Sequence, residues 1–284
     1  MYEILLRQDL VPNMHLLKVA APAVAKKAQP GQFVVIRTDE KGERIPLTIA
    51  DWDEEEGSLT IVFMEVGTTT SKLTLLQAGD YITNLVGPLG LPAHIDRFGT
   101  VVCVGGCYGI ASIMPIARAM RQAGNKVISV IEARSKFLLF WEERLRSVSD
   151  QLIITTGDGS YAAKGWVGDR LKEIIAGEDK VDLVNAIGCT YMMMLCAEIT
   201  RPFGIKTIVH LNPIMVDGTG MCGCCRVAVG DETKFACVDG PEFDGHQVDW
   251  DLLLARRGIY LDDEIRSLQE WECQNLIDLS RREG

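Results

Sequence analysis

The chain has 284 residues, more than a single small domain needs, so two domains with an appendage are expected. Its 29 basic and 39 acidic residues leave a net charge of −10, which lacks the basic footprint that nucleic-acid binding requires. A hydrophobic content of 47% with 24% charged residues is ordinary for a soluble globular chain, and no run reaches the ~18 apolar residues of a membrane span. Met1-Tyr2-Glu3-Ile4 carries no basic segment leading into an apolar run, so the expectation is a cytoplasmic protein without a membrane partner.

In chain order, β-branched or alternating runs at 3–8, 15–20, 32–38, 59–66 and 80–86 predict short strands, punctuated by Pro30-Gly31 and Gly87-Pro88. One short helix is expected at 70–76. Strands at this spacing predict an antiparallel barrel. The rhythm changes at Gly99. Apolar strands at 100–104, 126–132, 151–155, 183–187 and 206–211 alternate with helical patterns at 110–123, 138–148, 167–175 and 191–203. That alternation predicts a parallel sheet covered by helices. Residues 212–245 are rich in Gly, Cys and Asp with little periodicity, and 248–284 hold an apolar patch at 250–254 and a charged helical stretch at 262–282. The fold class expected is β plus α/β, divided at 1–97, 98–211, 212–245 and 246–284.

Four of the nine cysteines fall within residues 222–237, which in a reducing compartment reads as metal or redox chemistry rather than disulfides. The spacing is Asp217-x4-Cys222-x2-Cys225-x11-Cys237. It matches the plant-type two-iron pattern, Cys-x4-Cys-x2-Cys with a fourth Cys later, if Asp217 takes the place of the first thiolate. Gly218, Gly220 and Gly223 permit a tight loop whose N–H groups approach the sulfurs. Cys224 is either a bystander or a replacement for one of these ligands. A structural zinc site built from the same cysteines is the competing reading, although zinc motifs usually show two separated Cys pairs.

The other signals are weaker one by one. Gly105-Gly106-Cys107-Tyr108-Gly109-Ile110 follows a predicted strand and opens a helix, as a phosphate-binding turn does, without the G-x-G-x-x-G spacing. Glu132 ends the next strand, and Arg134 beyond it is either a phosphate contact or a solvated side chain. Arg44-Ile45-Pro46-Leu47-Thr48 and Gly67-Thr68-Thr69-Thr70-Ser71 offer an Arg, hydroxyls and free N–H groups suited to a flavin edge and a pyrophosphate, or simply a helix cap.

Taken in order, these segments resemble the ferredoxin-reductase family of flavoproteins: Pro30-Gly31-Gln32-Phe33, Arg44-x-Pro46-Leu47-Thr48, Gly67-Thr68-x-Thr70, Gly87-Pro88-Leu89-Gly90, the Gly105–Ala111 turn, Asp158-Gly159-Ser160 and Gly188-Cys189-Thr190. The cysteine-rich end is similar to the electron-transfer subunits of dihydroorotate dehydrogenase and their relatives. Among those relatives are the small subunits of NADH-dependent ferredoxin:NADP oxidoreductases, also called sulfide dehydrogenases, in which an Asp replaces the first cluster Cys. The dihydroorotate subunit carries four cysteines. The resemblance implies an FAD barrel, an NAD(P)-binding α/β domain and a [2Fe-2S] segment. By it, Pro46, Leu47 and Thr48 line the isoalloxazine and Val62, Phe63 and Met64 flank it, while Gly67, Thr69 and Thr70, with Arg44, hold the pyrophosphate. Gly106, Gly109, Ile110, Glu132, Arg134, Asp158 and Cys189 serve the nucleotide, NAD(H) in preference to NADP(H). Asp217, Cys222, Cys225 and Cys237 hold the cluster. The usual Cys-Gly-Pro reads Gly188-Cys189-Thr190 here, and the methionines at 192–194 read as helix core.

The function so implied is electron transfer between NAD(H), FAD and a two-iron cluster, to or from a large glutamate-synthase-like flavin and iron–sulfur subunit in a heterodimer or larger complex. The alternatives are an electron-transfer subunit of dihydroorotate dehydrogenase or of a hydrogenase-type complex and, in another class, a zinc-stapled nucleotide-binding regulator. Hydride transfer to a flavin needs no acid or base, so no catalytic side chain is assigned.

Overall fold

The computed structural model describes residues 1–282, with side chains through residue 275. Its first layer is built from β1 (Tyr2–Val11), β2 (Met14–Ala20), the short helix α1 (Pro22–Ala25), β3 (Phe33–Arg37), β4 (Ile45–Asp53), β5 (Ser58–Met64), helix α2 (Thr68–Leu75), β6 (Tyr81–Ile82) and β7 (Asn84–Leu89). Pro12-Asn13 closes the first hairpin, with Asn13 in the left-handed region that Asn tolerates. The sheet order is β6-β1-β2-β5-β4-β3-β7, antiparallel throughout. Its two edge strands are separated in the chain by Thr83 alone. The sheet therefore curls until its edges nearly meet, which is the expected barrel. Leu17, Val19, Val34, Ile36, Leu59 and Ile61 fill its interior. Each such side chain contributes about 1.5–3 kcal/mol on burial.

Strand β4 runs through a segment that reads in the sequence only as a ligand motif. Pro46 is tolerated there because residues 45–48 pair with β3 alone, and β4 meets β5 only from Ile49 onward.

The second layer follows the predicted alternation: β8 (Thr100–Gly106), α3 (Gly109–Gln122), β9 (Lys126–Ala133), α4 (Glu142–Val148), β10 (Gln151–Thr156), β11 (Ala163–Lys164), α5 (Val167–Ala176), β12 (Leu183–Ile187), α6 (Thr190–Thr200) and β13 (Lys206–His210). Two helices differ from expectation at their ends. The one expected from residue 138 starts at Glu142, because Trp141 takes a left-handed φ of 56°. The one expected to reach 203 stops at Thr200, where Pro202 converts the last turn to a 3₁₀ turn over Arg201–Phe203. The strands order as β11-β10-β9-β8-β12-β13, all parallel. The order reverses between β8 and β12, and an open α/β sheet binds ligands at the carboxyl ends of the strands flanking such a reversal.

The cysteine-rich segment holds a hairpin, β14 (Arg226–Val229) and β15 (Glu232–Phe235), and then β16 (Glu242–Asp244), which adds antiparallel to β13. Helix α7 (Trp250–Arg257) is capped by Asp249, whose Oδ1 accepts from Leu252 N at 2.9 Å, and α8 (Leu261–Arg282) returns along the barrel. Phe33 and Val35 of the barrel share one core with Val102, Met193, Cys225 and Cys237. Leu16 and Val62 share a second with Ile110 and Met114. The three segments thus pack into one another through apolar side chains. No helix among the described residues is long and apolar enough to cross a membrane.

Candidate functional site

The divergence of β4 from β5 opens the main cavity, of about 480 Å3. Pro46, Leu47 and Thr48 form one wall, and Val62, Phe63 and Met64 form the facing one. The latter three pair with β2 on one side only, through Leu16, His15 and Met14, which leaves the other edge of their backbone to a ligand. A mostly apolar slot of this size, with a few hydroxyls and unpaired main-chain groups, fits the ring system of a flavin.

Beyond Met64 the chain turns into α2. Thr70 Oγ1 accepts from Val66 N and Gly67 N, both at 3.0 Å, and donates to Gly67 O at 2.8 Å. Its hydroxyl therefore shapes the turn, and the first-turn N–H groups of α2, including that of Thr69, are what the site offers an anion. A second cavity of about 270 Å3 lies here, between Gly67–Thr70 and helix α8. Thr68 Oγ1 and Ser267 Oγ, 2.9 Å apart, join the two helices. Glu43 and Glu264 sit on the rim, which disfavours an anion, and Arg44 follows Glu43 as an exposed side chain. The cover provided by α8 is carried by no motif in the sequence.

On the opposite side lie the carboxyl ends of β8 and β12. A Cβ on Gly109 would stand 1.9 Å from Ile187 O, so only glycine lets α3 approach β12 this closely. Cys107 takes a left-handed φ of 53° to complete the turn. Ile110 is wholly buried beneath it, so its side chain is not open to a ligand. Met192 packs between Gly106 and Gly188, and with Met193 it belongs to the core, in keeping with the sequence reading. Cys189 is exposed at the N-cap of α6.

Glu132 is turned inward: its Oε2 accepts from Val167 N at 2.7 Å and caps α5, and burial holds its carboxyl above the ordinary range. It faces the first turn of α5 rather than open solvent. Arg134 is exposed, and its carbonyl accepts from Asp158 N at 3.1 Å. Asp158 Oδ1 accepts from Ser160 N at 2.9 Å, and bonds to Ser160 keep the carboxylate ionised below its usual range. The ends of β9 and β10 are thus laced together, with Arg134 and Asp158 side by side.

The cysteine loop is organised by Asp217. Its Oδ1 accepts from Thr219 N at 2.8 Å and its Oδ2 from Cys222 N at 2.6 Å, and these bonds, that of Thr219 foremost, hold the carboxyl below the usual range. Gly218, Gly220 and Gly223 all adopt left-handed φ, between 70° and 82°. Cys225 and Cys237 are buried with their sulfurs 3.1 Å apart, and Cys222 is exposed. Cys224, partly exposed, is a free thiol as well. Among the described residues no three His, Cys, Asp or Glu side chains close around one point as a single-ion site does. Cys225 and Cys237 face each other through their sulfurs, and the Asp217 carboxylate binds the main chain of Cys222. Soft thiols gathered on one glycine-rich loop, with a carboxylate among them, are the kind of donor set a two-iron cluster takes.

Sequence reasoning missed four polar residues that line the main cavity, Tyr108, His210, Asn212 and Arg257. His210 Nε2 lies 3.0 Å from Glu242 Oε1, while the Glu242 carboxylate also accepts from His94 N at 3.1 Å and Asn185 Nδ2 at 3.3 Å. One carboxylate from the cysteine segment therefore ties the interdomain linker to two strands of the nucleotide sheet. The Gly-rich turn around Tyr108 was a visible signal. Arg257 left none.

Residues 212–249 match the iron–sulfur cluster binding domain of dihydroorotate dehydrogenase B. A dihydroorotate dehydrogenase B (NAD(+)) electron transfer subunit homolog of Thermotoga maritima is 48% identical over 92% of this chain and 92% of its own. The solved structure of an NADH-dependent reduced ferredoxin-NADP oxidoreductase, described in the context of flavin-based electron bifurcation, is 46% identical, covering 95% of this chain and 98% of its own with a TM-score of 0.91. A ferredoxin NADP+ reductase of Neisseria gonorrhoeae with bound FAD and NADP shares the fold at 17% identity and a TM-score of 0.59, over 72% of this chain and 91% of its own. The donor loop, the flavin-sized slot and these likenesses agree: the chain belongs to the family of dihydroorotate dehydrogenase B electron-transfer subunits and their homologues, flavin- and iron–sulfur-dependent oxidoreductase subunits.

Proposed function

We propose that this chain is the electron-transfer subunit of an electron-bifurcating NADH-dependent ferredoxin:NADP oxidoreductase, working in the cytoplasm with a large glutamate-synthase-like flavin and iron–sulfur subunit. The observation that carries the reading is Asp217. It stands at the first ligand position of a plant-type spacing and closes the loop through Thr219 and Cys222 N–H groups. Likeness to a bifurcating oxidoreductase at 46% identity supports it.

When bound, FAD exchanges electron pairs with a nicotinamide nucleotide and single electrons with a two-iron cluster. Pro46, Leu47 and Thr48 hold one face of the ring, and the backbone of Val62, Phe63 and Met64 holds its edge. Thr69 and Thr70 present N–H groups to the pyrophosphate from the turn that Gly67 opens, with Arg44 as the neighbouring cation. Gly106, Gly109 and the main chain of Ile110 admit the nucleotide, and Cys189 borders the nicotinamide. Arg134 and Asp158 meet the ribose end, where the Asp158 carboxylate favours the free hydroxyl of NAD(H) over a 2′-phosphate. Glu132 sets the start of α5 behind them. Asp217, Cys222, Cys225 and Cys237 ligate the cluster, with Cys224 outside the set.

The test is anaerobic purification of the complex from its native cell. A large glutamate-synthase-like flavoprotein in stable association is the expected partner. A dihydroorotate-oxidising subunit in its place would establish the second reading, which the match over residues 212–249 favours. For the cluster, Asp217→Ser should abolish or markedly change the two-iron EPR signal while FAD stays bound. An unchanged signal would remove Asp217 from the ligands and promote Cys224.

A further inference from the structure

The main cavity is lined on its barrel side mostly by apolar side chains, and no carboxylate among the described residues lines it. Among its lining residues, His210 faces the Glu242 carboxylate at 3.0 Å, and Arg257, the last residue of α7, brings a permanent positive charge. Arg257 also lines a smaller cleft of about 120 Å3 beside Cys224, again without a carboxylate among the described residues. Its neighbour Arg256 donates from Nη2 to Cys224 O at 3.2 Å, which fastens α7 to the cysteine loop. Arg257 thus stands where the flavin slot and the cysteine loop meet.

Its guanidinium is held by a chain of hydrogen bonds with a single direction. Arg257 Nη1 donates to Thr190 Oγ1. The Thr190 hydroxyl donates to Asn212 Oδ1 at 3.2 Å, Asn212 Nδ2 to Tyr108 Oη at 2.7 Å, and Tyr108 Oη to Gly188 O at 2.8 Å. Thr190 is 1% exposed, so its partners are set by the fold and not by water. Every group in the chain uses its hydrogen in the same sense, which fixes the Asn212 amide orientation and lets each bond polarise the next. Burial pushes the Tyr108 hydroxyl up to about 12, which keeps its proton in place as the last donor.

We propose that Arg257 supplies a fixed positive charge to the gap between flavin and cluster, and that Thr190, Asn212 and Tyr108 are the positioning residues that hold it there. The proposal rests on the flavin and cluster reading above. A flavin ring gains negative charge on two-electron reduction. Arg257 is exposed overall, but its Nη1 end is fixed on the buried Thr190, and a cation held in place beside the slot stabilises that form, so the bound flavin becomes easier to reduce. The charge also lies beside the cysteine loop, so both redox groups feel it.

The test is an anaerobic spectroelectrochemical titration of the full holoprotein. Arg257→Gln should lower the two-electron flavin potential by at least a tenfold change in the reduced-to-oxidised ratio, ~30 mV. Arg257→Lys should keep most of the wild-type value. Thr190→Val, which retains the charge but frees it, should move the potential in the same direction by less. A purely structural role would lower the melting temperature and leave the potential where it was. Arg257→Gln with FAD bound and an unmoved potential overturns the proposal. If that variant gives no holoprotein, Thr190→Val decides, and an unmoved potential there overturns it equally. Failure of the underlying reading looks different, because the wild-type protein would then hold no flavin to titrate.

Discussion

The nucleotide turn and the cysteine loop are both glycine-rich, yet they are held by different means. At the turn, glycine is demanded by the backbone of other elements. A Cβ on Gly109 would meet Ile187 O at 1.9 Å, and one on Gly105 would meet Gly109 O at 2.9 Å. In the loop, glycine is demanded by dihedral angle. Gly220 and Gly223 are left-handed, and a Cβ on Gly223 would meet nothing nearer than 3.8 Å. The turn is shaped by parallel strands and the helix between them. The loop is shaped by one carboxylate, its N–H partners and the thiols it presents. Damage to the first should therefore be read in stability, and damage to the second in what the loop holds.

The sharpest way to break this contrast is Gly109→Ala. The methyl group collides with main chain that cannot yield, so roughly 3 kcal/mol or more of stability should be lost, measured by denaturant unfolding. An unchanged midpoint would mean that α3 and β12 are not so close. Cys225→Ser is its counterpart in the loop. Most of the iron and the cluster EPR signal should disappear with FAD and fold retained, and iron kept at the wild-type level would show that Cys224 substitutes for it.

A smaller effect is expected at the carboxylate that joins the two regions. Burial tends to raise the Glu242 pKa, but the His210 ring, the His94 N–H and the Asn185 amide outweigh it and bring it below the ordinary 4.5. A carboxyl lowered on folding contributes stability above its unfolded value, and that contribution is lost as pH falls through the folded one. Glu242→Gln should thus lower stability at neutral pH and flatten the acid limb of the stability profile, followed by melting temperature against pH. An acid limb like that of the wild type would assign the pH dependence to other groups. The mildest expectation concerns Thr70→Val, which removes the acceptor of two turn N–H groups and should cost about 1 kcal/mol and weaken FAD binding. Unaltered FAD affinity would leave the start of α2 out of the flavin site.

The same contrast governs what could be read without coordinates. The sheet-and-helix alternation of residues 100–211 was legible because buried parallel strands are continuous apolar runs and their helices have a different period. The donor spacing at 217–237 was legible because the ligands of one loop lie close in sequence. Strand β4 was not, since Pro46 interrupts its pattern and only one-sided pairing makes it acceptable. Glu132 reads in the sequence only as an acid at a strand end, and nothing local shows that it accepts from an N–H 35 residues away. Arg257 and Asn212 could not be found at all, because their relay joins residues 22 to 104 positions apart and has no local signature.

The account as a whole depends on flavin and iron residing in the same chain. Its most direct test is the flavin, iron and zinc content of the anaerobically purified protein, with the visible spectrum of the same sample. It predicts a coloured protein with about one FAD and about two irons per chain and no zinc. A colourless protein with one zinc and no flavin would contradict it, and would turn the donors at 217–237 into a structural staple.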